Sequence, residues 1–438
     1  MIDRGRRRVP GFGPPRIARP IHVRIARRML ILVLVGLARG VLRRYRPRIV
    51  AVTGSVGKTT TTALVAAVVA RGFTVRATPG NSNSEVGVPA TILGAPGARG
   101  RGKARARLLA VVRGVGVLVG GRAYPQALVL EVAAGRPGEL ERITRAVRPD
   151  VAVVTHVRPV HLEFFGSVAA VANEKAWVIR RLRPGGVAVL PADDEEAGRL
   201  AELAPGRVVL HSLDGPADLW LEDVHTGLDG CTGTLVIRRE HGPAARHPFT
   251  TRLLGRHQLG GVLSAVAVGL VLGIAPEEAL DAIARVEAPP HRLRTLPGRG
   301  GVTVLDDAHN ASAQAVVDAL EVLAHFPGPR WAVLGDMREL GPATEEAHRS
   351  VGRAVVGRAD ELLTVGAHAA LIAESAVEHG FDPSAVRRCP DAATVIGVLS
   401  AAALDSGTIL VKGSHAVGLE GVVEALVEAE TQDARSAR

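Results

Sequence analysis

The 438-residue sequence reads as an α/β protein built on mainly parallel sheets, and three observations carry that reading. Short aliphatic runs alternate with helix-like stretches along most of the chain, as in strands buried on both faces and joined by crossover helices. Aromatic residues make up only 3%, while Ala, Val, Leu and Gly dominate. The first aliphatic run leads directly into a glycine turn and a helical segment, Thr53-Gly54-Ser55-Val56-Gly57-Lys58-Thr59-Thr60. In that order small residues let backbone N–H groups turn inward, the helix aims its N-terminus at an anion, Lys58 supplies a cation and Thr59 a hydroxyl. The loop is a cradle for ATP and its Mg2+, although Val52 stands where the commoner GxxxxGKT pattern has its first glycine.

In chain order, strands are expected at residues 49–53, 127–131, 151–155 and 187–190, and again at 303–307, 331–334, 361–365 and 408–412. Alternation of such runs with helical stretches argues for doubly wound parallel sheets. A helix is expected over 60–70, and residues 219–238 read as a small antiparallel insertion. A chain of this length exceeds what one core serves, so several domains are expected. The link Ala288-Pro289-Pro290 disfavours a continuing helix. It divides an arm at 1–46 and a central domain at 47–288 from a C-terminal domain at 289–438, whose last residues are polar.

The formal charge of +11 belongs to the arm. Residues 1–48 hold fourteen Arg against one acid, Asp3, so the rest of the chain is slightly acidic. That distribution argues against a nucleic-acid partner, as does the lack of aromatic residues in the arm beyond Phe12 and Tyr45. Within the arm, residues 29–38 are mainly apolar and bracketed by Arg27-Arg28 and Arg39, too short to span a bilayer. They read as a basic helix on an anionic inner leaflet or, alternatively, as a helix packed on the body. The basic segment 99–113, with apolar 108–112, would join the same surface. Two distant cysteines, Cys231 and Cys389, imply neither a disulfide framework nor a thiolate metal site, and point to a reducing, cytoplasmic compartment.

Further motifs extend the glycine loop. They are Asn81-Ser82-Asn83-Ser84-Glu85-Val86-Gly87-Val88-Pro89; Glu131 with Gly135-Arg136-Pro137-Gly138-Glu139 after it; Thr155-His156-Val157-Arg158-Pro159-Val160-His161-Leu162-Glu163; and Glu174-Lys175. Gly255-Arg256-His257-Gln258, Pro290-His291-Arg292, Asp306-Asp307-Ala308-His309-Asn310, Gly335-Asp336-Met337-Arg338-Glu339-Leu340-Gly341 and Val411-Lys412-Gly413-Ser414 follow. In this order, over residues 47–425, they resemble the Mur ligase family, and the last two are most similar to its D-alanyl-D-alanine-adding branch.

The resemblance implies a P-loop central ATPase domain followed by a Rossmann-like C-terminal domain. It implies an ATP-dependent amide ligase working through an acyl phosphate, which adds D-alanyl-D-alanine to a UDP-muramyl peptide in peptidoglycan synthesis. A Mur-like ligase joining another amine and carboxylate is the alternative, and a non-catalytic, membrane-associated nucleotide scaffold is a third. Lys58, Glu131, His161 and Lys175 take catalytic positions by resemblance, and Thr59, Glu131, His161 and Lys175 hold Mg2+, the lysine as a carbamate. Arg292, Asp306, Asp307, His309 and Asn310 would complete the ATP site, with either aspartate meeting the ribose, while Asn81, Asn83 and Lys412 would meet substrate. No counterpart of the family's N-terminal UDP-holding domain is expected here. His156, Gly261 and His415 depart from the family pattern of Asn, an amide residue and Arg.

Overall fold

The computed structural model describes residues 21–80, 82–95, 103–120 and 123–427. Strands β1 (Arg48–Thr53), β2 (Val75–Ala77), β3 (Ala127–Glu131), β4 (Val151–Val154), β5 (Val187–Pro191), β6 (Val208–Ser212), β7 (Leu219–Gly227), β8 (Gly230–Ile237) and β9 (Ala245–Thr251) form one sheet. Its order is β2-β3-β1-β4-β5-β6-β7-β8-β9, parallel through β7 and antiparallel from β7 to β9. The antiparallel segment expected near 219–238 is thus a continuation of the main sheet. A second sheet holds β10 (Arg294–Pro297), β11 (Thr303–Asp307), β12 (Arg330–Gly335), β13 (Glu361–Val365), β14 (Val386–Cys389) and β15 (Thr408–Lys412). Its order is β10-β11-β15-β12-β13-β14, parallel except at β10.

Burial explains why the central strands lack polar alternation. In β1, Val50 and Val52 enter the core on one face of the sheet, and Ile49 and Ala51 enter the core on the other. Successive side chains point to opposite faces, so a strand covered on both sides must be apolar throughout. Helix α2 (Lys58–Val69) covers the first face with the helix Leu259–Val271.

Helix α1 (Ile21–Tyr45) covers the second face, in contact with the short helix α3 (Gly87–Ile92) and with α4 (Lys103–Val119). Leu34, Ala38, Val41 and Leu42 recur at helical spacing and are buried, the stripe an amphipathic helix turns inward. The apolar run of residues 29–38 is therefore the middle of a 25-residue helix whose inner stripe packs on the body, as in the alternative reading. Glycine allows the close contact with α4, since a Cβ at Gly114 would lie 3.3 Å from Leu37 and one at Gly40 3.2 Å from Leu118. Tyr45 closes the lower end by donating to the Val117 carbonyl at 2.8 Å and stacking on Tyr124.

Candidate functional site

The glycine loop joins β1 to α2 at the carboxyl end of the parallel strands, where α/β sheets place their sites. Gly54 has φ 150°, and a Cβ there would fall 1.7 Å from the Thr155 hydroxyl, so that position admits glycine alone. Gly57 takes a left-handed φ of 77° to start α2. The neighbouring β4 loop fixes the turn: Ser55 N donates to the His156 carbonyl at 2.7 Å and the Thr155 hydroxyl to the Val56 carbonyl at 2.6 Å.

Lys58 Nζ lies back over this loop, donating to the Gly54 and Ser55 carbonyls at 2.8 and 2.9 Å. Burial pulls its pKa down to about 8; Glu131 opposes the shift and Arg292 adds to it. Lys175, only 4% exposed, donates to the same Gly54 carbonyl at 2.8 Å. Burial foremost, and then the Lys58 charge, holds its pKa well below the usual lysine range, against the pull of Glu174. Glu174 is itself engaged, accepting from the backbone N–H of Gly138 and Leu140 at the start of the helix Glu139–Ala146.

Glu131, at the end of β3 and 2% exposed, accepts from Asn83 Nδ2 at 2.8 Å. His161 sits at a left-handed φ of 55°, and its Nδ1 pairs with Glu339 from the loop after β12. The two sheets therefore meet here. A second bond across the gap joins Arg292 Nη2 to the Thr59 hydroxyl at 3.2 Å. Lys412, 2% exposed at the end of β15, donates to Asp307 Oδ2 at 2.5 Å and to the Asn310 carbonyl at 3.0 Å.

A cleft of about 920 Å³ runs between these groups. Ser55, Val56, Gly57, Lys58, Thr59, Thr60, Asn83, Glu131 and His161 line it from the first lobe, and Arg292, Asp307, His309, Asn310 and Lys412 from the second. Thr53 and Gly54 lie beneath the loop and Lys175 behind it, none of them on the cleft wall. Asp306 also stays off the wall, its carboxylate accepting from His291 N and from Ala308 N, so of the two aspartates Asp307 is the one that faces the cleft. Asn81 lies outside the described residues.

Three further histidines line the wall, of which the sequence reading quotes His156 and His257 in motifs and misses His211. His156, His211 and His257 stand together on the wall, all with pKa lowered foremost by burial, to about 3 for His211 and about 4 for His257. His211 faces the Ser264 hydroxyl at 2.9 Å, and its Nδ1 has no partner. No sequence signal marks it beyond its place at the end of β6. Glu339 was visible only as part of a quoted motif. His309 is held to about 3 by burial, with Arg292, His415 and other cations adding.

Two family models match the chain, the Mur ligase middle domain over residues 52–100 and 119–269 and the Mur ligase glutamate ligase domain over 291–415. Together they span well over half of it. The chain belongs to the Mur ligase family. This Mur ligase is 34% identical over 408 residues to the UDP-N-acetylmuramoyl-tripeptide--D-alanyl-D-alanine ligase of Mycobacterium tuberculosis (strain ATCC 25618 / H37Rv), covering 87% of this chain and 73% of that one. Its fold matches crystal structure I of MurF from Acinetobacter baumannii with TM-score 0.75 at 23% identity, over 90% and 80% of the two chains. The MurF ligase from Thermotoga maritima in complex with ADP matches with TM-score 0.73 at 25% identity, over 90% and 83%. The expected α/β architecture is thus that of the Mur ligase fold.

The family implies Mg2+, an ion that prefers oxygen donors and few carboxylates. A hydroxyl on Thr59 and a buried carboxylate on Glu131, both on the wall of one cleft, are such donors, so the residues fit. His161 is held through Nδ1 by Glu339 and keeps Nε2, the form in which a carboxylate usually orients a metal-binding imidazole. Lys175 as an ammonium is a donor only and does not belong to that set.

Proposed function

We propose that this Mur ligase joins a peptide carboxylate to an amine through an acyl phosphate, adding D-alanyl-D-alanine to a UDP-muramyl tripeptide in the cytoplasm. One observation carries the proposal. The glycine loop with Lys58 and Thr59 faces Arg292, Asp307 and Lys412 across a single cleft, so groups suited to a triphosphate converge from both lobes. Relatives matched over most of the chain carry that activity in their names, and one was solved with ADP.

In the first step a carboxylate oxygen of the acceptor attacks the γ-phosphorus of ATP and ADP leaves. The amine nitrogen then attacks the acyl carbon, phosphate departs with the former carboxylate oxygen, and the nitrogen gives up its proton to solvent. Charge gathers on oxygens in both steps. Lys58 and the loop N–H groups stabilise it at one end and Arg292 at the other, in a cleft whose walls reduce competing hydrolysis. Asp307, tied to Lys412, would meet the ribose or water around the phosphates, with His309 and Asn310 beside it. Asn83, Lys412 and Asn81 would orient the peptide. Mg2+ bound by Thr59 and Glu131, and a second ion by His161 and carbamylated Lys175, would neutralise phosphate charge. The arginine-rich N-terminal segment would bring the enzyme to the anionic inner face of the membrane.

Phosphate release from ATP should require both UDP-N-acetylmuramoyl tripeptide and D-alanyl-D-alanine, and 18O placed in the acceptor carboxylate should appear in the released phosphate. Turnover with other amines and none with the dipeptide would replace the named substrate. Unlabelled phosphate would refute the acyl phosphate.

A further inference from the structure

Eleven large apolar side chains are exposed among the described residues, and nine of them lie on α1 and α4. On α1 these are Ile25, Met29, Leu32 and Val33, exposed by 56, 57, 65 and 46%. On α4 they are Leu108, Leu109, Val112, Val115 and Val119, the last of them 79% exposed. The positions recur at intervals of three and four residues on each helix, opposite the buried stripe, so each helix is apolar on two faces. The inward face is accounted for by the sheet. The outward one is a concentrated apolar surface of the kind that marks an interaction site.

Charge identifies the occupant. Neither helix contains an acidic residue, and Arg28, Arg39, Arg105 and Arg113 are exposed on them. A second copy laid face to face would set like charges against one another, whereas an anionic bilayer offers both a hydrocarbon edge for the apolar rows and headgroups for the guanidinium groups. No helix among the described residues is long and apolar enough to cross a membrane. We propose that the outward faces of α1 and α4 together form a docking surface that lies in the interface of an anionic lipid bilayer. The two helices contact each other, and Arg44 donates to the Leu118 carbonyl at 2.5 Å, so they would enter as one unit. The C-terminal end of α1 leads into β1 and so to the glycine loop, which ties the cleft to the membrane plane. Docking rests on the membrane placement proposed above and is independent of the ligase chemistry.

Co-sedimentation of the full chain with phosphatidylcholine vesicles, with and without phosphatidylglycerol, tests this surface. Wild-type protein should bind the anionic vesicles and release from them as salt rises. Leu108→Asp/Val112→Asp and, separately, Met29→Asp/Leu32→Asp should each weaken binding about tenfold or more, while circular dichroism and ATP turnover with soluble substrates stay unchanged. Equal binding of wild type and both variants would overturn the helical surface and leave attraction by the arginine-rich segment alone. Absence of vesicle binding would overturn both. A wild-type dimer that these substitutions dissociate, without vesicle binding, would assign the face to a second copy instead.

Discussion

Lys58 and Lys175 donate to one carbonyl oxygen, that of Gly54, which sets two amines close together in a dry site. Two charged amines there would repel, and burial already disfavours the cation. Burial foremost, and then the Lys58 charge, pushes Lys175 well below the usual lysine range, which favours the neutral amine with its free electron pair. Such an amine adds to carbon dioxide and releases a proton, exchanging a cation for a carboxylate-bearing group. Intact-mass measurement of gently handled protein should show an adduct of about 44 Da, absent from Lys175→Ala, and that variant should lose activity by about a hundredfold or more. Full activity of the unmodified variant would leave the buried lysine a structural role only. His211 makes a second prediction at this scale. Its pKa is about 3 when folded, below the ordinary imidazole value, so the folded state refuses a proton that the unfolded chain accepts. Its contribution is intact above about pH 6.5 and is lost as pH falls toward 3, reaching about 2 kcal/mol at pH 5. Thermal melts at pH 7 and pH 5 should therefore differ less for His211→Gln than for wild type. Site residues on the glycine loop were legible because their spacing is local. His211 and Glu339 were not, because each is defined by a partner far along the chain.

Whether an element could be read depended on how fully it is buried. β1, β3, β4 and β5, and β12 and β15, are covered on both faces and carry continuous aliphatic runs, so the sequence announces them, while β11 and β13 show shorter ones, Val304-Leu305 and Leu362-Leu363. β2 has three half-buried residues, β10 is a half-exposed antiparallel edge, and β14 carries Arg387 and Arg388, so none has a run long or apolar enough to register. α1 shows the opposite error. Its apolar middle was visible, but arginines near both ends masked the continuation, although Arg suits a helix and its long stem tolerates a half-exposed site. The inner stripe, not the run of residues 29–38 as a whole, attaches this helix to the sheet. Leu34 is fully buried in that stripe, and Leu34→Ala should lower stability by about 2–5 kcal/mol through lost burial and a residual cavity. Leu32→Ala, two residues away but 65% exposed, should change chemical denaturation little. Equal losses for the two would mean that α1 does not pack as described.

At the scale of the molecule the cleft exists only because the lobes meet; Glu163 N donates to the Glu339 carbonyl at 3.3 Å, and two side-chain contacts among the described residues span it near the reacting region. One is Arg292 to Thr59 and the other is His161 to Glu339. The motifs supplying these residues lie over 170 residues apart, so sequence order could suggest the partners but not that they touch. The first contact belongs to groups that would hold phosphate. The second acts through an imidazole: Glu339 fixes the ring from the opposite lobe, which makes it a positioning residue for both His161 and lobe approach. Those roles separate experimentally. If Glu339 mainly orients the ring, Glu339→Gln, which keeps an acceptor oxygen, should retain most activity, while Glu339→Ala should lower kcat by roughly tenfold to a hundredfold with little change in the KM for ATP. If it mainly draws the lobes together by charge, both variants should raise the KM for ATP and weaken the thermal stabilisation that saturating nucleotide gives wild type, about 2.7 kcal/mol at a hundred times Kd. The left-handed backbone at both His161 and Glu339 favours the first outcome, since two strained turns aimed at one contact indicate a fixed geometry more than a loose electrostatic attraction.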